Sequence, residues 1–255
     1  MVGKSVQRKG ENLPWIKKEY RIKNVVYVER TFSTRYGKGW VCRSPNEKET
    51  SEKAARVNDR RKIKYMGLLA NANFNEGDYF ITYTFKRELR PACLDDCREI
   101  WRKYLRKLRD AYKKAGQPFK YMWCIESENC AMHIHMLFNG DVPLRDLPPW
   151  PYGNPKIELL DDRKWHSVGE YISKENHRKK RDGEQAHTKK TMGTSRNLIR
   201  PQPKITVLVS GRWPEKPRAP KGYYLDESSL ENVVYENTFN GVMFPCQTCR
   251  FIKKE

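Results

Sequence analysis

The feature that most constrains the fold of this chain is a pair of short apolar segments separated by a polar loop. Tyr121–Ser127 (YMWCIES) and Met132–Asn139 (MHIHMLFN) consist mainly of aromatic and aliphatic residues. Segments of this length and composition are typical of β-strands, and the short loop between them indicates an antiparallel hairpin. Because both segments are apolar along most of their length, we expect the hairpin near the centre of a sheet.

The segments around this hairpin predict an α+β fold. The pattern that best defines a helix lies in Leu94–Ala115, where apolar residues recur at spacings of three and four. Further strands are predicted at Asn24–Ser33, Tyr79–Lys86 and Lys204–Ser210, and further helices at Glu52–Ala70 and Asp161–Asn176. This order of elements is typical of a central antiparallel sheet flanked by helices.

The length and the ends of the chain predict one main domain with two extensions. We expect a basic N-terminal arm at 1–22, the main domain at 23–210, and a basic, aromatic extension at 211–255 that packs on the same domain. The first ten residues contain no apolar segment of the kind found in secretory signals. We therefore expect a cytoplasmic protein, in a bacterium or a host cell, with no membrane span.

The charge of the chain predicts a polyanionic partner. The sequence has 51 Lys and Arg against 31 Asp and Glu, a formal net charge of +20. Such a charge usually indicates nucleic acid, but it does not separate an enzyme from a packaging or ribosomal protein. The polar face of the 94–115 helix includes Arg102, Arg106 and Arg109, and it is either a solvated surface or a phosphate-binding one.

The cysteines carry little functional information. There are seven, and without a secretory signal we expect reduced thiols. Cys246 and Cys249 form a single CxxC with no second pair beside it, which is weak evidence for structural zinc.

The strongest candidate for a metal site is His133-Ile134-His135. Two residues at i and i+2 of a strand point to the same face, so both imidazoles can bind one ion. Glu126 or Glu128 could supply a carboxylate from across the hairpin, and such a mixed set suits Mn²⁺ or Mg²⁺. The alternative is a pair of half-buried histidines that bond to their neighbours.

A second candidate lies in the predicted helix at 161–176. Tyr171 and Lys174 share a polar stripe there, and a nearby Lys or metal ion can lower the tyrosine pKa from its usual value of about 10. In isolation, an amphipathic tyrosine beside a solvated lysine is the more common explanation.

Taken in order, these motifs resemble those of the HUH endonucleases. The chain is similar to the single-tyrosine rolling-circle replication initiators (Rep proteins) of bacterial phages and plasmids. Tyr79–Lys86 resembles the first family motif, His133–His135 the second, and Tyr171 to Lys174 the third. Gly193–Pro201 also resembles a segment of Gram-positive phage and plasmid Reps. The resemblance covers about residues 20–210.

The resemblance implies a fold and a reaction. The fold would be the RRM-like HUH fold with a ferredoxin-like core. The activity would be metal-dependent, site-specific nicking and joining of single-stranded DNA through a 5′-phosphotyrosine. Tyr171 would be the nucleophile and Lys174 would stabilise charge. The metal ligands would be His133, His135 and Glu126, with Glu128 as the alternative, and the proposed DNA contacts are Arg102, Arg106, Arg109, Arg178 and Arg196.

The implied partners are origin single-stranded DNA and a host helicase and polymerase. No GxxxxGK[ST] occurs in the sequence, so we expect no nucleotide cofactor. Two other functions remain open. One is a non-catalytic, RRM-like nucleic-acid-binding protein, and the other is a relaxase or transposase of the same superfamily. The histidine motif precedes the tyrosine, and this order favours an initiator over a relaxase.

Overall fold

The structure is a computed structural model that describes residues 14–33, 36–37, 52–126, 131–160, 191–236 and 243–254. The described chain contains two long helices and two antiparallel sheets. The helices are α1 (Glu52–Asn73) and α2 (Leu94–Lys114), and the strands are β1 (Trp15–Ile22), β2 (Val25–Phe32), β3 (Tyr79–Tyr83), β4 (Tyr121–Glu126), β5 (His133–Phe138), β6 (Lys156–Leu159), β7 (Met192–Thr194), β8 (Lys204–Leu208), β9 (Tyr223–Glu236) and β10 (Met243–Lys253). The predicted α+β class is confirmed.

The chain divides into two compact units. Ser51–Pro201 forms one, which we call the central unit, and Met1–Thr50 with Gln202–Glu255 forms the other, the terminal unit. The borders of these units do not follow the boundaries expected at 22 and 210. Within the described residues, no helix is long and apolar enough to cross a membrane.

The central unit is built on the predicted hairpin. Its five strands lie in the order β6-β3-β5-β4-β7, and every neighbouring pair is antiparallel. β5 is the middle strand, with β4 on one side and β3 on the other. The β4–β5 register pairs Glu126 with His133. Both strands are largely buried, which confirms the expectation that the hairpin lies at the centre of a sheet.

α2 covers one face of this sheet. Asp95 and Asp96 in its first turn and Lys113 and Lys114 in its last turn complement the helix dipole, and Gly116 follows its end at φ +68°. The apolar stripe of α2 packs with alternate strand residues in one buried cluster that includes Trp101, Leu105, Leu108, Ile81, Tyr83, Ile125, Ile134 and Met136. The predicted helix is therefore confirmed.

α1 packs on the opposite face. Met66, Leu69 and Ala70 of this helix are buried in a second cluster with the strand residues Phe80, Met122, Cys124 and Leu137. Because successive strand residues point to opposite faces, Leu137 and His135 lie on the α1 side, and Ile134 and Met136 lie on the α2 side.

Leu108 tests the α2 interface. It is fully buried in the cluster between α2 and the sheet, so Leu108→Ala should lower the free energy of unfolding by about 2–5 kcal/mol, because it removes buried methyl groups and leaves a cavity. The matched control is Lys107→Ala, an exposed neighbour on the same helix, which should change it by no more than about 0.5 kcal/mol. Denaturant unfolding monitored by circular dichroism measures both, and equal effects would contradict this packing.

The terminal unit is a second five-stranded sheet, in the order β8-β1-β2-β10-β9. β1 lies within the segment expected to be a polar arm. It pairs with β2 along its whole length, and Ile16 and Ile22 are buried. A two-residue turn with Lys23 at φ 49° joins the two strands. β8, which we expected in the same sheet as the histidines, pairs with β1 instead.

The CxxC motif lies in β10. Cys246 and Cys249 are both buried, and Cys249 pairs with Val28 of β2. Residues three apart on a strand point to opposite faces, so the two sulfur atoms do not converge on one ion. The weak indication of a zinc ribbon is therefore not supported by the position of these cysteines.

Candidate metal centre

Three potential metal ligands meet where β4 ends and β5 begins. Glu126 Oε2 lies 3.1 Å from His133 Nε2 and 3.0 Å from His135 Nε2, and the two Nε2 atoms are 3.1 Å apart. The strand register explains this meeting, since Glu126 stands directly opposite His133 and His135 is two residues further on the same face. We call these three residues the Glu–His cluster. Among the described residues, no other group of three His, Cys, Asp or Glu could hold a metal ion.

Hydrogen bonding determines the tautomer of His133. Its Nδ1 lies 2.9 Å from the carbonyl oxygen of Ala131. A carbonyl can only accept a hydrogen bond, so the proton of the neutral imidazole is on Nδ1 and the Nε2 lone pair points into the cluster.

His135 is held from β3. Its Nδ1 lies 3.0 Å from Thr82 Oγ1, and its ring stacks parallel to that of Phe80, with centroids 5.9 Å apart and an interplanar angle of 2°. Thr82 is the direct β3 partner of His135 in the sheet register. The sheet thus positions His135 from both of its neighbouring strands.

The cluster is partly accessible. The side chain of His135 is 7% exposed, whereas those of His133 and Glu126 are 20% and 25% exposed. One imidazole is therefore buried in the sheet, and the carboxylate and the other imidazole can be reached by an incoming ligand.

The surroundings of Glu126 favour its ionised form. Burial alone would raise the pKa of this carboxyl, but the hydrogen bond from His135 and the charges of His133 and His135 outweigh it, so the pKa lies below its usual value. At neutral pH the cluster therefore offers one carboxylate oxygen and two imidazole nitrogens.

This donor set fits a divalent cation. Two nitrogen lone pairs at 3.1 Å would repel each other unless a proton or a cation lies between them. Two imidazoles and one carboxylate, with coordination positions left for water or substrate oxygens, suit Mn²⁺ or Mg²⁺ as well as other divalent ions. The predicted ligands His133, His135 and Glu126 are thus brought together, while the alternative, Glu128, lies outside the described residues.

The other predicted site residues are not next to this cluster in the described structure. Tyr171, Lys174 and Arg178 lie outside the described residues. Arg102, Arg106 and Arg109 are exposed on α2, which covers the sheet face opposite to the histidines.

Arg196 lies at the far end of β4 from Glu126. It is exposed, and the preceding residue, Ser195, bonds to the backbone of Tyr121. Arg109 reaches the same end of the strand, where its Nη2 donates to the Tyr121 hydroxyl at 2.7 Å.

Sequence reasoning assigned no role to Phe80 or Thr82. The signal was present in the alternation of the 79–86 segment, which puts both residues on one strand face. What was missing was the register of β3 against β5, which a single sequence does not show.

The 193–201 segment supports the central unit. Leu198 is buried with α1 residues, Asn197 Nδ2 donates to the Phe119 carbonyl, and Asn73 exchanges hydrogen bonds with the backbone of Ile199. Most of this motif therefore has a structural role, and Arg196 remains available for another.

The fold and the site define a class of protein: an α+β chain with a candidate divalent-metal centre on its central strands. Residues 78–176 match the model of a family of replication-associated proteins, described by its member ORF2. The match runs from the residue before β3 past Tyr171 and Lys174, and it confirms the predicted resemblance to rolling-circle replication initiators. Comparisons with curated proteins and with solved structures give no match.

Proposed function

We propose that this protein initiates rolling-circle replication by nicking single-stranded DNA at an origin and rejoining it later. The observation that carries the proposal is the Glu–His cluster, which lies inside the segment that matches the replication-associated family. A protein that only binds nucleic acid has no need for two imidazoles and a carboxylate converging at 3.0–3.1 Å.

The Glu–His cluster would hold Mn²⁺ or Mg²⁺ through Glu126 Oε2 and the Nε2 atoms of His133 and His135. A divalent ion bound there would neutralise charge on the scissile phosphate. The residues themselves provide rigidity, because all three belong to paired strands and the two histidines are hydrogen-bonded at Nδ1.

Tyr171 would be the nucleophile. Its phenolic oxygen would attack phosphorus in line, lose its proton, and form a bond to phosphorus as the bond to the 3′ oxygen breaks. The 3′ oxygen would take up a proton and leave as a free hydroxyl, and the DNA 5′ phosphate would stay on Tyr171. Lys174 would stabilise the phenolate. Since one phosphodiester replaces another, the later joining step needs no external energy source.

Two buried tyrosines of the central unit are poor alternatives. Burial raises the pKa of Tyr83 well above its usual value, and this residue lies on the α2 side of β3, away from the histidines. Burial raises the pKa of Tyr104 to about 12. Neither group would ionise readily, which supports an accessible tyrosine such as Tyr171.

We further propose that Arg102, Arg106, Arg109, Arg178 and Arg196 bind DNA phosphates, and that the host's helicase and polymerase extend the free 3′ end in the cytoplasm. Because α2 covers the sheet face opposite to the Glu–His cluster, its arginines would contribute to affinity at a distance from the cleaved bond. Binding and cleavage should therefore be separable by mutation.

Arg102→Ala tests this separation. Loss of one phosphate contact should weaken single-stranded DNA binding and reduce the dependence of log K on log salt by about 0.7. The matched control is Arg145→Ala, which removes the same charge from a side chain that is 85% exposed outside α2. Fluorescence anisotropy at several salt concentrations measures both slopes, and a slope unchanged in Arg102→Ala would exclude this contact.

The experiment that tests the function is covalent capture. The protein is incubated with Mn²⁺ and a pool of randomised single-stranded oligonucleotides, denatured in detergent, and separated on a gel. A slowly migrating protein–DNA species is expected, and sequencing its DNA would give the preferred site. Binding without any covalent species would favour a non-catalytic nucleic-acid-binding protein.

A further inference from the structure

The two histidines of the Glu–His cluster differ in how they are held. His133 donates from Nδ1 to the Ala131 carbonyl, an acceptor on its own chain segment just before β5. His135 Nδ1 instead faces the hydroxyl of Thr82, which belongs to the neighbouring strand β3. A hydroxyl can donate or accept, so this contact allows either tautomer of the imidazole.

Metal binding would require one of these tautomers. If Nε2 of His135 is to present its lone pair to an ion, Nδ1 must carry the proton and needs an acceptor. Thr82 Oγ1, at 3.0 Å, is in position to accept it. Since the side chain of His135 is only 7% exposed, loss of this acceptor would leave a buried N–H without that partner.

Phe80 restricts the same ring from another direction. It lies two residues before Thr82 on β3, and its ring is parallel to the imidazole within 2°. The stacked ring limits tilting of the imidazole, and the Thr82 hydroxyl limits its rotation about the ring normal. Together they keep Nε2 directed at Glu126 Oε2, 3.0 Å away.

We infer that Thr82 is a positioning residue for the metal ligand His135, and that the strand of the first motif serves the metal site through this hydroxyl. The inference rests on the proposed role of the Glu–His cluster in binding metal. It gives the 79–83 strand a function beyond sheet formation, because an apolar side chain of the same shape at position 82 would preserve the strand and lose the acceptor.

Mn²⁺ titration of the full chain, followed by the electron paramagnetic resonance signal of free Mn²⁺, tests the inference. Thr82→Val, which keeps the shape of the side chain, should weaken Mn²⁺ binding by about tenfold or more. Thr82→Ser, which keeps the hydroxyl, should bind as the wild type does. The matched control is Thr84→Val, because Thr84 lies just past the end of β3 and donates its hydroxyl to the Asn154 carbonyl instead of to a histidine.

The outcomes separate the inference from the proposed function. If the wild type binds Mn²⁺ and Thr82→Val binds it equally well, the positioning role of Thr82 is wrong and the metal site stands. If the wild type binds no Mn²⁺, or His135→Ala binds it as well as the wild type, the proposed metal site itself is wrong.

A second pair of variants covers a failure of Thr82→Val to fold, which circular dichroism would detect. Thr82→Ser and Thr82→Ala differ only in the hydroxyl oxygen. Tenfold or weaker binding by Thr82→Ala relative to Thr82→Ser would support the inference, and equal binding by the two would overturn it.

Discussion

Tyr171→Phe is expected to reduce the covalent protein–DNA adduct by at least about 1,000-fold, because the substitution removes the attacking oxygen and leaves the aromatic ring. Binding of single-stranded DNA should be preserved, since the phenol contributes no positive charge. The measurement is covalent capture on a denaturing gel with Mn²⁺ present, followed by mass spectrometry of the adduct. A nucleotide should be found on the tryptic peptide that contains Tyr171.

Tyr65→Phe provides the matched control. Tyr65 is a partly exposed tyrosine on α1, close to the guanidinium of Arg200, and the same loss of a hydroxyl there should leave the adduct at the wild-type level. If Tyr171→Phe forms as much adduct as the wild type, the nucleophile has been assigned to the wrong residue. If only Tyr65→Phe loses the adduct, the nucleophile lies on α1.

His135→Ala should weaken Mn²⁺ binding and DNA nicking by at least about 100-fold, because loss of a ligand should exceed the 10–100-fold loss typical of residues that only orient ligands. The substitution leaves Glu126 and His133 as two ligands and removes the imidazole most firmly held by the sheet, through Thr82 and Phe80. Mn²⁺ titration measures the first effect, and gel-based cleavage of a captured oligonucleotide measures the second.

The control for this variant is His187→Ala, which removes a histidine outside the segment that matches the replication-associated family. DNA affinity and its salt dependence should be the same in His135→Ala, His187→Ala and the wild type, because neither histidine is among the proposed phosphate contacts. Cleavage that persists in His135→Ala with unchanged Mn²⁺ dependence would contradict the proposed metal site.

These two predictions separate chemistry from affinity. The Glu–His cluster lies on the α1 side of the sheet, and the arginines of α2 lie on the other side. A variant that loses affinity but still nicks at saturating DNA, and one that binds normally but does not nick, are both expected. This separation could not have been predicted from net charge, which does not say on which sheet face a basic helix packs.

Part of the site could be predicted from local patterns. The spacing of His133 and His135 places both on one strand face, and the short loop before β5 brings Glu126 opposite them. The apolar stripe of the 94–115 helix likewise predicts which of its sides is buried. Each of these conclusions uses only the repeat of a strand or a helix, or a connection of a few residues.

The remainder depended on contacts between distant segments. Only the tertiary structure placed β8 beside β1 in a second sheet, put Cys246 and Cys249 on opposite faces of β10, and set Thr82 against His135.

The sequence by itself determined the class of the fold, the central hairpin, the three candidate ligands and the resemblance to replication initiators. The tertiary structure decided which strands share a sheet, which face each helix covers, and which hydroxyl meets His135. The physical reason is that a periodic pattern identifies the buried side of an element, whereas the choice of partner depends on packing and hydrogen bonding between residues far apart in the chain.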